Sequence, residues 1–285
     1  MSQDPSGKPD ETTTSRIPEK VRSLDEMSTR QLRTFLKGYW GDWRADAPRS
    51  HGVPAPPIQN PCPMDSARIG LPDPEAQPLG DVPFCRLVRQ RRSRTAYADT
   101  PLTLEELSFL LWCTQGISHV ERNEGGDIVY HLRNVPSAGA RHPLETSLLV
   151  HHVTGLDPGL YRFLPVEHEL AALSRNRSLH HEVFEACYRQ EFIATAAVVF
   201  VWTAVPFRTE WGYGYVAHRM IAAEAGHVCQ NLYLASEAIG AGTCAVMGYN
   251  QDRLDRLVGV DGEDEFTLYL AAVGKLPEPN EREGT

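Results

Sequence analysis

The sequence predicts an α+β fold in which helices flank a mixed central sheet. Helical and strand patterns alternate irregularly, no internal repeat is present, and residues 219–239 form one long helical pattern that is apolar over most of its surface. A regular βαβ array would alternate its elements evenly, so a parallel doubly wound fold is not favoured. A helix that is apolar nearly all round is buried in a core or a subunit interface.

Length and composition suit a globular protein with a substantial core. The chain has 285 residues, of which 41% are hydrophobic, and no apolar run is long enough to span a membrane. Its formal net charge of −9 argues against nucleic acid or an anionic membrane as the main partner. The first ten residues lack the basic and apolar regions of a standard secretory signal, and the six cysteines form no C-x-x-C pair. We therefore expect a cytoplasmic protein with reduced thiols.

The N-terminal part is predicted to be largely extended. Residues 1–24 carry almost no apolar side chains and are expected to be a disordered tail. Ser28 and Gln31 have capping-box spacing, and apolar residues follow at helical spacing as far as Trp40. Proline is dense from residue 51 to 84, which excludes a helix there. Residues 25–83 are thus assigned to a helix plus a Pro-rich arm that lies over the rest of the chain, with a free linker as the alternative.

Residues 84–285 are assigned to the main domain. A short helix near its start runs into a basic cluster, and the capping-box pair Thr103 and Glu106 predicts a second helix that stops at Gly116. Asn250 is expected to cap a last short helix. Alternating and β-branched patterns predict strands at 128–132, 147–153, 160–163, 197–203 and 265–273.

Four segments carry the candidate chemistry. The first is RRSR at 91–94, whose guanidinium forks suit phosphate oxygens, although a solvated basic face is the alternative. The second is the Pro/Ser/Gly loop at 135–143, where small residues let the backbone approach a flat ligand closely. The third is 239–249, whose three glycines do not form a Rossmann fingerprint. The fourth is WGYGY at 211–215, an aromatic segment at the mouth of the long helix.

In this order and spacing, the segments resemble the FMN-dependent nitroreductase superfamily, and more closely its SagB-type thiazole/oxazole dehydrogenase branch. RRSRTAY, PLTLEELSFLLWCTQGI, VPSAGARHPLE, GLYRF and AGHVCQNLYLASEAIGAGTC all look like that branch. The resemblance covers the chain from about residue 86 to 275. It implies the nitroreductase fold, an intertwined homodimer with FMN at the interface between the subunits, and NAD(P)H as a candidate co-substrate.

The resemblance also assigns cofactor-binding residues by position. The segment matching the ribityl-phosphate ligands consists of Arg91, Arg92 and Ser93. The loop expected against the isoalloxazine ring consists of Pro136, Ser137, Ala138 and Gly139. The backbone pair expected to face the flavin N5 and O4 consists of Met247 and Gly248, and Lys275 is a candidate second phosphate ligand.

Two positions depart from the general nitroreductase pattern around the flavin. Thr95 and Ala140 stand where a basic residue and an asparagine are often found, and Arg94 or Arg141 could supply the polar contacts instead. His142, beside the loop, is a candidate for a supporting or substrate role. No metal site is predicted, because the histidine pairs at 151–152 and 180–181 lack a ligand-type partner at helical spacing. His227, on the long helix, is assigned to an interface or to the core.

Tyr213 is the candidate catalytic residue. Azoline-oxidising members of the branch carry a Lys-Tyr pair at this point, thought to supply the base, whereas Gly212 precedes Tyr213 in this chain. A phenol with a pKa of about 10 is a poor base unless a neighbouring cation lowers that pKa. Tyr213 could instead act as an acid, and a stacking residue that covers the flavin is the alternative.

The sequence therefore predicts an FMN-dependent oxidoreductase that moves a hydride between its substrate and the flavin N5. The resemblance favours a peptide-derived azoline or a related natural-product intermediate as substrate, with oxygen reoxidising the flavin. One alternative is an NAD(P)H-dependent nitro, quinone or ene reductase. A second alternative is a non-catalytic flavin- or partner-binding subunit of a biosynthetic complex.

Overall fold

The structure, a computed structural model, describes residues 27–37, 40–41, 43–76, 78–176 and 178–278. The predicted disordered tail at 1–24 lies outside these residues. The chain divides into two units after Tyr39. The described part of the first unit holds helix α1 (Thr29–Leu32) and a 3₁₀ turn (Arg33–Leu36), and its capping box between Ser28 and Gln31 is confirmed. The helical conformation is shorter than the apolar pattern predicts.

The second unit is built on a sheet. In chain order its strands are β1 (Arg68–Gly70), β2 (Ile117–Arg122), β3 (Ile128–Arg133), β4 (Leu144–Val150), β5 (Gly159–Leu164), β6 (Glu169–Ser174), β7 (Val198–Ala204), β8 (Ala241–Val246) and β9 (Phe266–Lys275). Within the described residues, seven strands form one sheet in the order β1-β6-β5-β4-β7-β9-β8, and β2 and β3 form a separate ribbon.

The prediction of a mixed sheet was wrong in strand direction. Every ladder of the sheet runs antiparallel, and parallel pairing is confined to isolated bridges at Ser93–Thr243 and Leu102–Val153. Short turns join β4 to β5 and β5 to β6, and such turns can connect only antiparallel neighbours.

Helices cover both faces of this sheet. They are α2 (Trp43–Asp46), α3 (Phe84–Gln90), α4 (Leu104–Gln115), α5 (Leu179–Ala186), α6 (Glu191–Thr195), α7 (Phe207–Tyr213), α8 (Ala217–Ala238) and α9 (Gln251–Val258). Side chains alternate across β4 and β7, so one core contains α4 and α8 and the other contains α5, α6 and α9. None of the helices in the described residues has the length and hydropathy that a membrane crossing requires.

Several predicted elements are confirmed. Thr103 and Glu106 form a capping box at the start of α4, and the Asn250 side chain caps α9. The predicted strands and the long helix lie within a few residues of their observed bounds. β1, β2, β6, β8 and α5–α7 were not predicted. β8 consists largely of small residues with little strand preference, and its conformation is set by pairing with β9.

The Pro-rich arm is bonded to the body of the second unit. β1, within the arm, pairs with β6 at the edge of the sheet. The Ile58 carbonyl accepts a hydrogen bond of 3.0 Å from Arg133, and the Asn60 amide donates one of 2.7 Å to Glu145. Arg208 donates to the Pro57 carbonyl at 2.9 Å. These bonds attach the arm to Arg133, Glu145 and Arg208. Arg133 and Arg208 lie near His142, in the predicted loop at 135–143.

Candidate functional site

Two of the predicted site segments, the loop at 136–139 and the segment around Ser93, contact different sides of helix α8. Glu224 and Asn231 face the segment that leads into the loop at 136–139, where Asn231 donates to the Asn134 carbonyl at 3.4 Å. Tyr233 faces Ser93 instead, with 3.0 Å between the two hydroxyl oxygens. An α-helix turns by about 100° per residue, so Glu224 and Tyr233, nine positions apart, point to roughly opposite sides of α8. The loop and the phosphate-type segment of one chain are thus separated by this helix.

The segment that includes Ser93 lies flat along β8. The Tyr233 hydroxyl that contacts Ser93 also accepts a hydrogen bond of 2.9 Å from the Ala245 amide. The Arg94 amide donates to a β8 carbonyl at 2.9 Å. This close approach depends on Gly242, since a Cβ atom there would lie 2.6 Å from the Arg94 side chain. The segment is therefore held in place by Tyr233 and β8, together with Glu237, which accepts a hydrogen bond of 3.4 Å from the Arg92 amide.

The guanidinium groups of this segment suit a phosphate. The Arg92 guanidinium donates to the backbone carbonyls of Arg89, at 3.0 Å, and Arg91, at 2.8 Å, while the Arg92 backbone amide donates to Glu237 at 3.4 Å. The Arg91 guanidinium lies 5.2 Å from the centroid of the Tyr233 ring. Among the residues that the structure describes, neither guanidinium group forms an ion pair with a carboxylate. Guanidinium groups that lack an acidic partner can take up phosphate oxygens, so this donor set fits the phosphate of FMN.

Two other predicted cations already have carboxylate partners. Lys275 forms an ion pair with Glu106 and donates to the Ile239 carbonyl at 2.9 Å. Arg94 forms an ion pair of 3.4 Å with Glu237. The Arg94 guanidinium, which could have replaced the basic residue that the family often has, is therefore already paired with a carboxylate. A phosphate role for Lys275 stays a prediction, because the ammonium would have to bind the phosphate in competition with Glu106.

Met247 and Gly248 follow directly after β8. The Met247 side chain is exposed, and the Gly248 carbonyl accepts a hydrogen bond of 3.0 Å from Gln190. The backbone of this pair is thus anchored near the end of β8. Its predicted contact with the flavin N5 and O4 stays a prediction.

The loop of Pro136, Ser137, Ala138 and Gly139 is held by groups beneath it. The Ser137 hydroxyl oxygen accepts a hydrogen bond of 2.9 Å from the His142 amide. Nδ1 of His227, on α8, lies 3.3 Å from the Pro136 carbonyl oxygen, so this histidine contacts the loop. Its side chain is exposed in the chain, which excludes the core position considered for it. Gly139 adopts a φ of +59° within a 3₁₀ turn, Ala138–Ala140. The backbone of the loop is therefore fixed from the side of α8.

Tyr213 ends α7 and lies against this loop. A Cβ atom on Gly139 would be 2.7 Å from the Tyr213 hydroxyl oxygen. The Tyr213 ring also stacks on Trp43 of α2, with 5.4 Å between centroids and 16° between planes. The candidate catalytic residue and the predicted flavin loop are thus brought together. Trp43 was not singled out from the sequence, and only its place in a Trp-rich segment could have drawn attention to it.

A cation lies beside Tyr213. The Arg141 guanidinium lies 4.5 Å from the Trp211 ring centroid, and its Nε donates to the Arg208 carbonyl at 2.8 Å. Burial lowers the pKa of Arg141, as do the positive charges of Arg208 and Arg49, whereas the phenol of Tyr213 acts in the opposite direction. Arg141 therefore occupies a position from which it can interact electrostatically with the phenol.

One histidine of each of the pairs 151–152 and 180–181 contacts a backbone carbonyl. The rings of His151 and His180 stack with 3.7 Å between centroids. One ring nitrogen of His151 lies 3.0 Å from the Ala196 carbonyl, and one of His180 lies 2.8 Å from the Ala194 carbonyl. Across the described ranges, no group of three or more His, Cys, Asp or Glu residues is arranged to hold a metal ion.

Comparison with known proteins supports the resemblance to nitroreductases. The nitroreductase family profile matches residues 88–275. A nitroreductase-family protein of Methanocaldococcus jannaschii is 34% identical over 211 residues, which cover 74% of this chain and 98% of the relative. A nitroreductase structure from Anabaena variabilis superposes with a TM-score of 0.56 and 27% identity over 68% of this chain. The matched region spans 38% of the length of the Anabaena protein.

A more distant structure has the same fold. The E. coli microcin synthetase McbBCD, in complex with truncated pro-MccB17, superposes with a TM-score of 0.52 and 15% identity, covering 90% of this chain and 98% of that one. At this identity the likeness concerns the fold alone. The family profile and the relative that is 34% identical show more: the chain belongs to the nitroreductase family, whose members are oxidoreductases, typically FMN-dependent.

Proposed function

We propose that this protein is an FMN-dependent dehydrogenase of natural-product biosynthesis that oxidises a peptide-derived azoline or a related intermediate. When bound, FMN would supply the hydride chemistry at its N5. The observation that carries the proposal is the position of Tyr213, whose hydroxyl lies against Gly139 of the predicted flavin loop. This position supports a role for Tyr213 in exchanging a proton with a substrate bound against the loop.

Arg141 could take the place of the missing lysine. The Lys-Tyr pair of azoline-oxidising relatives is thought to supply the base, and here Arg141 is a cation that interacts electrostatically with Tyr213 from the end of the loop. Arg141 cannot itself accept a proton at neutral pH, because a guanidinium stays charged. Its proposed role is to stabilise the charge on Tyr213 while the phenol transfers the proton.

The proposed assembly is a homodimer in which each flavin contacts both subunits. The loop and the Arg91–Ser93 segment of one chain lie on opposite sides of α8, so one copy does not bring them together on one ligand. A second copy, related by two-fold symmetry, would place its loop over the first copy's phosphate-type segment. The fold shared with the microcin synthetase, which holds a truncated pro-peptide, is compatible with a peptide substrate.

Truncation of the two unpaired arginines should weaken FMN binding. We expect Arg91→Ala and Arg92→Ala each to raise the dissociation constant about tenfold or more, because a charge-assisted contact to phosphate is lost. The matched control is Arg89→Ala, in the last turn of α3 just before these two arginines, whose affinity should stay close to wild type. Quenching of flavin fluorescence gives the constants, and equal affinities for all four proteins would contradict the phosphate assignment.

Removing the Tyr213 hydroxyl should slow turnover. We expect Tyr213→Phe to reduce the rate at least about tenfold with FMN still bound, because general acid–base catalysis supplies factors of this size. Tyr215→Phe makes the same chemical change two positions later and serves as the control. Single-turnover rates measured by flavin absorbance provide the test, and an unchanged rate would leave Tyr213 with a packing role.

An anaerobic titration separates the proposed function from its alternatives. A flavin band that stays oxidised with NADPH and bleaches with an azoline-containing peptide supports the dehydrogenase. Stoichiometric bleaching by NADPH, followed by reoxidation with a nitro or quinone compound, would identify the reductase that the M. jannaschii relative suggests. A bound flavin that no donor reduces would indicate a non-catalytic subunit. Absence of the flavin band after reconstitution with FMN would overturn the cofactor assignment.

A further inference from the structure

Two ionisable side chains are buried beneath the predicted flavin loop without a hydrogen bond between them. The side chains of Glu224 and His142 are 3% and 2% exposed, and Oε1 of Glu224 lies 3.6 Å from Nδ1 of His142. In the part of the chain that the structure describes, this oxygen and both ring nitrogens of His142 have no hydrogen-bond partner. Buried polar atoms are nearly always paired, so atoms left this way call for an explanation.

Ser137 connects this pair to the loop. Its hydroxyl oxygen accepts a hydrogen bond of 2.9 Å from the His142 amide, and its side chain lies close enough to Glu224 to oppose the rise in the pKa of that carboxyl. A serine hydroxyl has a single proton to donate and two lone pairs. An ionised Glu224 can therefore accept the Ser137 proton, whereas a protonated Glu224 can donate to Ser137 and leave that proton for a ligand above the loop.

The surroundings favour a proton change on Glu224 near neutral pH. Burial raises the pKa of Glu224 to about 7, although Ser137, Arg133 and His227 oppose this shift. Burial, together with nearby arginines, lowers the pKa of His142 to about 3. The titratable and charged groups that face the pair, drawn from β3, the loop, α7 and α8, are His131, Arg133, Arg141, Arg208 and His227.

We propose that Glu224 is a positioning residue for the loop, and that with His142 it holds one exchangeable proton whose presence decides whether Ser137 donates to the carboxylate or to the ligand. This inference rests on the proposed function, in which the ligand is the flavin. Glu224 and His142 lie below the loop and act only through Ser137. The proposal accounts for the burial of an acid and a histidine side by side where an apolar pair would pack without unpaired atoms.

The first test measures protons taken up as flavin binds. We expect riboflavin binding at about pH 8 to take up a proton, because the ligand favours the protonated form of Glu224. Above about pH 7, where Glu224 is ionised in the free protein, the affinity should fall by up to about tenfold per pH unit. Riboflavin is used because it lacks the titrating phosphate. Calorimetry in buffers of different ionisation enthalpy gives the proton count. Glu224→Gln, whose amide can donate to Ser137, should keep the affinity and abolish both proton uptake and pH dependence.

The control variant is Glu237→Gln, which removes a carboxylate from another side of the same helix. Proton uptake on binding riboflavin should persist in this variant. A wild-type protein that binds flavin with the same proton count as Glu224→Gln would overturn the positioning role. A wild-type protein that binds no flavin at any pH would instead overturn the proposed function. The proton change on Glu224 would then be tested by the stability of the flavin-free protein.

The flavin-free protein provides the second test. Because folding raises the pKa of Glu224 from 4.5 to about 7, the folded state resists ionisation, and this group lowers stability as pH rises through that interval and no further above it. For His142, folding lowers the pKa from 6.5 to about 3, so stability is lost as pH falls below 6.5. The urea midpoint of the wild type should therefore fall, relative to that of Glu224→Gln, as pH rises from about 4.5 to 7. Parallel declines in both proteins would contradict the assignment.

Discussion

Replacing Glu145 by alanine should lower the free energy of unfolding by about 3–5 kcal/mol, since it leaves a buried guanidinium without its counter-charge. Arg208 and Glu145 form an ion pair in which the side chains are 1% and 3% exposed. Arg208 also donates to the Asn60 side chain and the Pro57 carbonyl, both at 2.9 Å. Removal of the carboxylate therefore weakens the attachment of the arm as well as the core.

Urea denaturation followed by tryptophan fluorescence measures this loss. The matched control is Glu185→Ala, which breaks an ion pair of 2.9 Å with Arg189, a side chain that is 71% exposed. An exposed pair of this kind contributes less than about 1 kcal/mol. We also expect faster proteolysis within residues 54–63 in Glu145→Ala, because the Asn60 amide loses its acceptor. Equal, small losses for the two variants would contradict the prediction.

Replacing Gly139 by alanine should reduce turnover at least about tenfold, because the new methyl group displaces the phenol proposed to transfer a proton. The added Cβ atom would lie 2.7 Å from the Tyr213 hydroxyl oxygen and 3.1 Å from a ring carbon. Gly139 has a φ of +59°, so an alanine there also carries backbone strain, although its neighbour Ala140 adopts a similar φ of +53°. The contact with Tyr213, more than the backbone conformation, is expected to cause the effect.

A double-variant cycle distinguishes these causes. Gly139→Ala should cost less in a Tyr213→Phe background, since the closest contact is then absent and the two changes are not additive. Gly212→Ala is the control, because a Cβ atom at Gly212 meets nothing within 4 Å although it precedes Tyr213 directly. Steady-state rates and flavin content should be measured for all of these proteins. Additive effects would assign the loss at Gly139 to backbone strain instead.

Local sequence signals predicted the elements that local physics controls. The capping box of Thr103 and Glu106 begins α4, and Asn250 begins α9, because each cap satisfies amide groups within one turn. β8 was missed because Gly242 and its small neighbours have little preference for a strand, and pairing with β9 decides their conformation. The direction of the ladders was missed for the same reason, since strand neighbours are chosen by tertiary packing.

The candidate site shows the same division. The segments around Ser93, Ser137 and Tyr213 were singled out from the sequence, and the structure places Tyr213 against the loop. The stacking of Trp43 on Tyr213 joins residues from distant parts of the chain, and no pattern along the sequence encodes it. Glu224 was likewise overlooked, because in the sequence it reads as one more charge on a helix.

The position of α8 between the loop and the arginine segment has a genetic consequence. If each flavin contacts the loop of one subunit and the arginine segment of the other, a variant damaged at Gly139 and a variant damaged at Arg92 carry their defects on different halves of every shared site. A mixed dimer of the two would contain one site with both defects and one with neither. Two inactive genes expressed together would then restore activity that neither restores alone, so the shared architecture would allow complementation between alleles.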